Sequence, residues 1–288
     1  MSKNNGFTRE YKKLNLNEIE SHKIYEYIKK DINIGKVFPA LRKDRIDFYY
    51  EGGCIIQYEK NEFSYNIEYF KHIGKEYYVI SPNNYFISGQ RFDILSLYDE
   101  LKKGVKNKFN NDGKKKERQF LCELYKYTYA DRKSDTVVLD IEIYNERKKC
   151  DLMLYNKKLQ ELMLVEAKVV GDGRISKQKK EDLPEVIKQV KEYTGWIDKG
   201  VGTFKEQYTN YITIMNRVFG IDFKSEIKDI CKSAKLIVFE PEKPLGNDHK
   251  QKLVNNLGTE NVLFANEENV LNKDNSTIDI DKIWELLY

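Results

Sequence analysis

Histidine is scarce in this chain. His22, His72 and His249 are the only three, and none neighbours another in sequence. A zinc site or a histidine-based nucleophilic triad therefore has no support in the pattern. Cysteine is nearly as rare: Cys54, Cys122, Cys150 and Cys231 show no CxxC spacing and read as free thiols in a reducing compartment. No apolar run reaches the roughly 18 residues of a membrane span, and the opening Met-Ser-Lys-Asn-Asn-Gly carries no apolar signal region. A cytoplasmic protein without a membrane partner is the expectation. Phosphate-cradling glycine motifs are missing too. No Walker loop or GxGxxG follows an apolar strand, and Gly171-Asp172-Gly173 is too short to serve as one. Net charge is only +4, so a nucleic-acid partner would depend on where the charge lies rather than on its total.

What is present is ordinary globular composition. A third of the chain is charged but 40% is hydrophobic, enough for a packed core across 288 residues, in one large domain or two small ones. The most informative stretch is 150–170. Two short apolar runs, 152–155 and 162–165, read as strands buried on both faces, with a polar turn between them. Pairing them antiparallel around a loop at 157–160 sets Asn156 opposite Glu161, Tyr155 opposite Leu162 and Asp151 opposite Glu166. Opposed residues share a sheet face, roughly 5 Å apart at Cβ. Lys168 lies on that face as well, because side chains alternate along a strand, and Ala167 points away. The pattern thus gathers two carboxylates and one ammonium. Two bare carboxylates about 4 Å apart repel by roughly 4 kcal/mol at an intermediate dielectric. A hard divalent cation, magnesium or manganese, would remove that cost.

The rest of the chain supplies context. Residues 1–35 are polar and helix-prone. Residues 45–50 and 54–58 flank Glu51-Gly52-Gly53, a hairpin signal, and 63–70 predicts a third strand of an antiparallel meander. Further strands are expected near 77–81 and 85–88, and a helix over 92–105. Arg42, Lys43 and Arg45, among Tyr49, Tyr50, Tyr58, Tyr65 and Tyr69, form either a basic aromatic surface for nucleic acid or a sheet that half-buries its tyrosines. The lysine-rich segment 106–116 reads as a linker, which sets domains at 1–112 and 113–288. A helix then runs over 117–129 and a strand over 136–144. After the two central strands comes a polar loop with Arg174, Lys177, Lys179 and Lys180. A helix begins near Asp182 and stops at Gly195, and another spans 204–219. A strand follows at 234–239, then a helix at 249–257, a strand at 261–265 and a last helix at 280–287.

Asp151 followed by Glu166-Ala167-Lys168 resembles the signature of the PD-(D/E)xK nuclease superfamily, with Cys150 where the eponymous proline would stand. From Glu117 to Phe239 the element order is similar to that family's αβββαβ core, with one helix inserted before the fourth strand. Gln189-Val-Lys-Glu-Tyr193 resembles the glutamine–tyrosine helix motif of its RecB-like branch. The resemblance implies an α/β, restriction-endonuclease-like fold with a mixed sheet, preceded by a small antiparallel meander. It implies a Mg2+- or Mn2+-dependent nuclease acting on nucleic acid, DNA ahead of RNA, in phage defence, restriction or repair, and compatible with a homodimer. Asp151, Glu166 and the carbonyl of Ala167 would hold the metal, with Glu117 or Glu123 as a further carboxylate. Lys168 would orient water or stabilise charge, and Gln189 would assist it. Tyr193, Arg174, Lys177, Lys179 and Lys180 would contact substrate. The meander would select the substrate or dimerise. The alternative is a nuclease-fold protein that binds nucleic acid or a protein partner without cutting.

Overall fold

The structure is a computed structural model, and it describes residues 15–74, 86–88, 94–110, 115–145, 148–176, 183–266, 268–271 and 278–288. The chain divides into two compact units, Arg9–Ala130 and, for the most part, Asp131–Tyr288.

The first unit opens with a short helix, α1 (Leu16–Ile19), started by the Asn15 side chain accepting from the Asn17 amide at 3.2 Å. Helix α2 (Lys23–Asn33) follows. Its buried Ile24, Ile28 and Ile32 recur at the spacing of one helical face. Four antiparallel strands come next: β1 (Val37–Arg42), β2 (Arg45–Tyr50), β3 (Gly53–Glu59) and β4 (Glu62–Asn66). A three-residue strand, β5 (Phe86–Ser88), pairs with β4. The meander is as expected, with one strand more: β1 contains Pro39 and lies at the sheet edge, where a missing N–H costs no ladder bond. The strand expected over 63–70 ends early. Asn66 accepts from the Glu68 amide at 3.1 Å and turns the chain into a 3-10 helix over Ile67–Ile73.

Helix α3 (Ile94–Asn110) buries Leu97, Leu101 and Val105, so residues 106–110 continue a helix rather than start a linker. Gly104 is required there: a Cβ would meet the Tyr69 carbonyl oxygen at 2.2 Å. Helix α4 (Lys115–Tyr129) closes the unit, with Phe120, Leu124, Thr128 and Tyr129 buried. The basic aromatic surface does not exist. Tyr49, Tyr50, Tyr58, Tyr65 and Tyr69 are all buried, and Arg42 is turned inward to bond Asp47 and Tyr49.

The second unit is built on a six-stranded mixed sheet of order β11-β10-β8-β7-β6, with β9 beside β8. Strands β6 (Thr136–Asn145), β7 (Lys148–Asn156) and β8 (Glu161–Val169) form an antiparallel meander. A single turn, α5 (Gly173–Ser176), leads toward the long helix α6 (Glu185–Phe219). Pro184 stands at its N-cap, and its buried Val186, Val190, Tyr193 and Ile197 face the interior. The helix does not stop at Gly195. It bends at Gly200, whose φ of −144° is non-helical, and continues to Phe219. A glycine costs a helix only about 1 kcal/mol, too little to end a stripe that keeps burying side chains.

The two-residue β9 (Asp229–Ile230) and β10 (Lys235–Phe239) return parallel to β8, and α7 (Asn247–Leu257) crosses to the parallel β11 (Val262–Ala265). Parallel neighbours need such crossovers. The closing helix α8 (Ile280–Leu287) fixes the far edge, where the Asp281 carboxylate accepts from the Thr136 amide at 2.6 Å. The architecture is mixed α/β, and among the described residues no helix is long and apolar enough to cross a membrane.

Candidate functional site

The β7–β8 hairpin has the register expected of it, with Asn156 opposite Glu161 and Tyr155 opposite Leu162. The backbone ladder runs to Leu152 opposite Val165 and stops there. Beyond that rung side chains take over. Asp151 Oδ2 accepts from the Ala167 amide at 3.0 Å, and the Cys150 thiol donates to the Val165 carbonyl at 3.3 Å. On its other edge β8 continues in parallel register with β10, Glu166 beside Leu236 and Lys168 beside Val238. The strands therefore open at this end on one side of β8 only.

Lys168 fills the opening. Its ammonium donates to Asp151 Oδ2 at 3.2 Å, to the Ala167 carbonyl at 2.7 Å and to Glu166 Oε1. Three oxygens from two strands thus converge on one nitrogen. The Lys168 and Glu166 side chains are 0% and 2% exposed, and Asp151 is 14% exposed, so solvent reaches the group past Asp151. Glu166 Oε2 is buried without a hydrogen-bond partner. Burial, then the charge of Asp151, raise the Glu166 carboxyl from its ordinary 4.5 to about 8, against the opposing pull of Lys168. Burial thus favours the protonated form of Glu166 more than water would. Burial likewise pushes the Cys150 thiol well above its usual value, so it stays uncharged.

Arg174 and Tyr193 stand near this group. Arg174, in α5, is held by Asp172, with its Nε 3.0 Å from Oδ1. Burial pushes the Asp172 carboxyl up, but its bonds to Arg174 and the charge of Lys168 bring it below the usual range. Asp172 is a charge of this neighbourhood that sequence reasoning passed over, because in Gly171-Asp172-Gly173 it looks like a turn residue. Lys177, Lys179 and Lys180 lie outside the described residues. Tyr193 on α6 is buried and donates to the Lys149 carbonyl at 2.6 Å, pinning the helix to β7 two residues before Asp151. Burial, then the charges of Glu166 and Cys150, raise its phenol. Gln189 stands one turn earlier, and its buried Oε1 has no hydrogen-bond partner. Glu117 and Glu123 are on α4 in the first unit, where Glu123 pairs with Lys126.

Chemically the group is a set of hard oxygen donors with one buried cation. Among the described residues no cluster of three or more His, Cys, Asp or Glu side chains gathers as a ready metal site. The donors here are two carboxylates and a backbone carbonyl, the oxygen types that hard divalent cations take. The chain matches no protein-family model, no curated protein and no solved structure.

Proposed function

We propose that the Asp151–Glu166–Lys168 group is the active centre of a metal-dependent nuclease of the PD-(D/E)xK type. It would hydrolyse phosphodiester bonds in nucleic acid, with DNA favoured. The observation that carries this reading is the convergence of Asp151 Oδ2, Glu166 Oε1 and the Ala167 carbonyl on the buried Lys168 ammonium, which gathers three hard oxygens in one place. The sheet order supports it: three antiparallel strands followed by a parallel fourth, with the acidic and basic residues on the second and third. The unpartnered Glu166 Oε2 adds a buried donor with nothing to bind. These residues fit magnesium or manganese, which Asp151, Glu166 and the Ala167 carbonyl would hold.

Such an ion lowers the pKa of a bound water and screens charge on the scissile phosphate. Asp151 does two things at once, since its Oδ2 also fixes the Ala167 amide and so the direction of the neighbouring carbonyl. Glu166 must give up its proton to act as a ligand. Lys168 provides the positive charge: it orients the attacking water or stabilises negative charge developing on the phosphate. Tyr193 holds the start of β7, and hence Asp151, against α6. Arg174 contributes positive charge at the mouth of the loop after β8.

One rival is favoured by the same geometry. Lys168 already donates to all three oxygens, as a permanent structural counterion would, and the unit would then bind nucleic acid or a protein without cutting. Cleavage separates the two. Single- and double-stranded DNA and RNA are incubated with the wild-type protein and the Lys168→Ala variant in magnesium, manganese or EDTA. Metal-dependent cutting that disappears in EDTA and in the variant supports the nuclease. No cutting of any substrate by the wild-type protein with either metal supports the rival.

A further inference from the structure

The first unit contains a cavity of about 500 Å³, within the range of small-ligand sites, that no part of the proposed reaction uses. It lies between the β2–β3 hairpin, the end of α3 and the face of α4. Lys36, Lys106, Arg118 and Lys126 line it against only two carboxylates, Glu51 and Glu123, so positive charge is in excess. The remaining wall includes three aromatic rings, Tyr50, Phe109 and Tyr125.

Arg118 is the best-placed of the cations. Its guanidinium carbon lies over the Phe109 ring, 3.3 Å from the centroid. Its stem crosses the tip of the hairpin, where Gly52 leaves room: a Cβ there would come within 2.4 Å of Arg118 Cγ and Cδ. Gly52 also has φ +79°, so the turn and the arginine path require the same residue. Lys106 is held nearby, 5.8 Å above the Tyr50 ring and 3.7 Å from Glu51. Both cations are thus positioned by the protein before any ligand arrives. Burial pushes the Cys122 thiol in the wall up to about 12, so it stays protonated and unreactive.

We infer that this cavity binds a nucleotide, with the phosphate on Arg118 and Lys106 and the base among the aromatic rings. A bare phosphate would leave most of the volume and all of the rings unused. A neutral aromatic ligand would place no anion among a lining in which cationic side chains outnumber carboxylates. A phosphate joined to a flat base answers both, and stacking on an aromatic ring contributes about 1–3 kcal/mol per base. The same chemistry is offered by a free mononucleotide and by the phosphorylated end of a single strand.

Calorimetry on the full chain in EDTA tests this without the metal chemistry of the second unit. The ligands are adenosine 5′-monophosphate, adenosine, inorganic phosphate, and a short oligothymidylate with and without a 5′-phosphate. Adenosine 5′-monophosphate or the phosphorylated strand should bind saturably, and adenosine and phosphate at least about tenfold more weakly than the mononucleotide if that is the ligand. Tighter binding of the strand that depends on its 5′-phosphate identifies a strand end; binding of the mononucleotide alone identifies a free nucleotide. Arg118→Ala should weaken binding by about tenfold or more, and Lys168→Ala should leave it unchanged. Lys106→Gln, at a half-exposed position, should weaken it severalfold and serves if Arg118→Ala does not fold. Absence of saturable binding by both nucleotide forms overturns the inference, as does binding indifferent to every cavity variant that folds.

Discussion

Each unit buries a cluster of charge in its sheet, and the two clusters are balanced in opposite ways. In the first, Asp47 on β2 is surrounded by two arginines. Arg42 Nε reaches its Oδ2 at 3.2 Å and Arg45 Nε its Oδ1 at 2.9 Å, so both carboxylate oxygens are bonded. In the second, one lysine serves two carboxylates, and Glu166 Oε2 is left with nothing. A carboxylate bonded at both oxygens by a surplus of cations can support a fold. A shortage of positive charge in a buried site raises a carboxyl pKa and works against folding, and such perturbed groups concentrate at functional sites. On the proposed reading, the contrast separates a cluster that holds the sheet together from one kept for its chemistry.

The hardest way to break the contrast is to remove Asp47. Asp47→Ala removes the buried carboxylate that both arginines bond and should cost about 3–5 kcal/mol, read by denaturant unfolding followed by circular dichroism. Asp151→Asn, near-isosteric, should cost clearly less while weakening metal binding in calorimetry. Equal losses of stability in the two variants would make both clusters structural.

Lys168→Ala comes next. Loss of one group that stabilises charge in the reaction should lower turnover about 10²–10³-fold, while magnesium binding is kept or tightened and nucleic-acid affinity changes little. A variant that cuts at the wild-type rate moves the active centre elsewhere. One that unfolds in metal-free buffer and is not rescued by magnesium puts the trio on the same footing as Asp47.

Glu166 sharpens the contrast through pH. Its carboxyl is raised from 4.5 to about 8, so the folded state disfavours the ionised form. The stability linked to this group is fully present below about pH 4.5 and is lost as pH rises through about 8. In EDTA the wild-type protein should therefore lose stability on the order of a few kcal/mol across that window, relative to Glu166→Gln, which cannot ionise there. Parallel pH curves for the two proteins would contradict the shift.

Much of this asymmetry was legible in the sequence. The 157–160 loop and the run of paired residues fix the hairpin register, and strand alternation then forces Glu166 and Lys168 onto one face with Asp151 nearby. The order of strands and helices from 136 onward follows from their apolar runs and turns. What sequence could not give was depth and partner. The tyrosines of the meander alternate as a surface ladder would, yet they are buried, because helices cover the sheet. Residues 106–110 look like a linker by composition, but Val105 and Phe109 keep one side of α3 engaged. The substitution of a carboxylate bond for the next ladder rung at Asp151 depends on three-dimensional splay, which no local pattern encodes. Arg174 is likewise bonded to Asp172, a pairing between residues that both read as loop.

The smallest expected effect belongs to Tyr193, and it decides between two roles. Its hydroxyl donates to the Lys149 carbonyl at 2.6 Å from a fully buried ring, so the bond ties α6 to the strand that carries Asp151. Tyr193→Phe keeps the ring and its packing against Trp196, whose centroid is 4.6 Å away. It removes one hydrogen bond and leaves a buried carbonyl without that donor, which costs about 1–3 kcal/mol of stability. A group that acts by positioning Asp151 should, when lost, weaken magnesium binding severalfold and lower turnover to a similar degree, with substrate KM unchanged. A group that touches the nucleic acid should raise KM and leave metal affinity alone. Because the phenol is already committed to Lys149, the first pattern is expected, and a rise in KM at unaltered magnesium affinity would assign Tyr193 to the substrate instead.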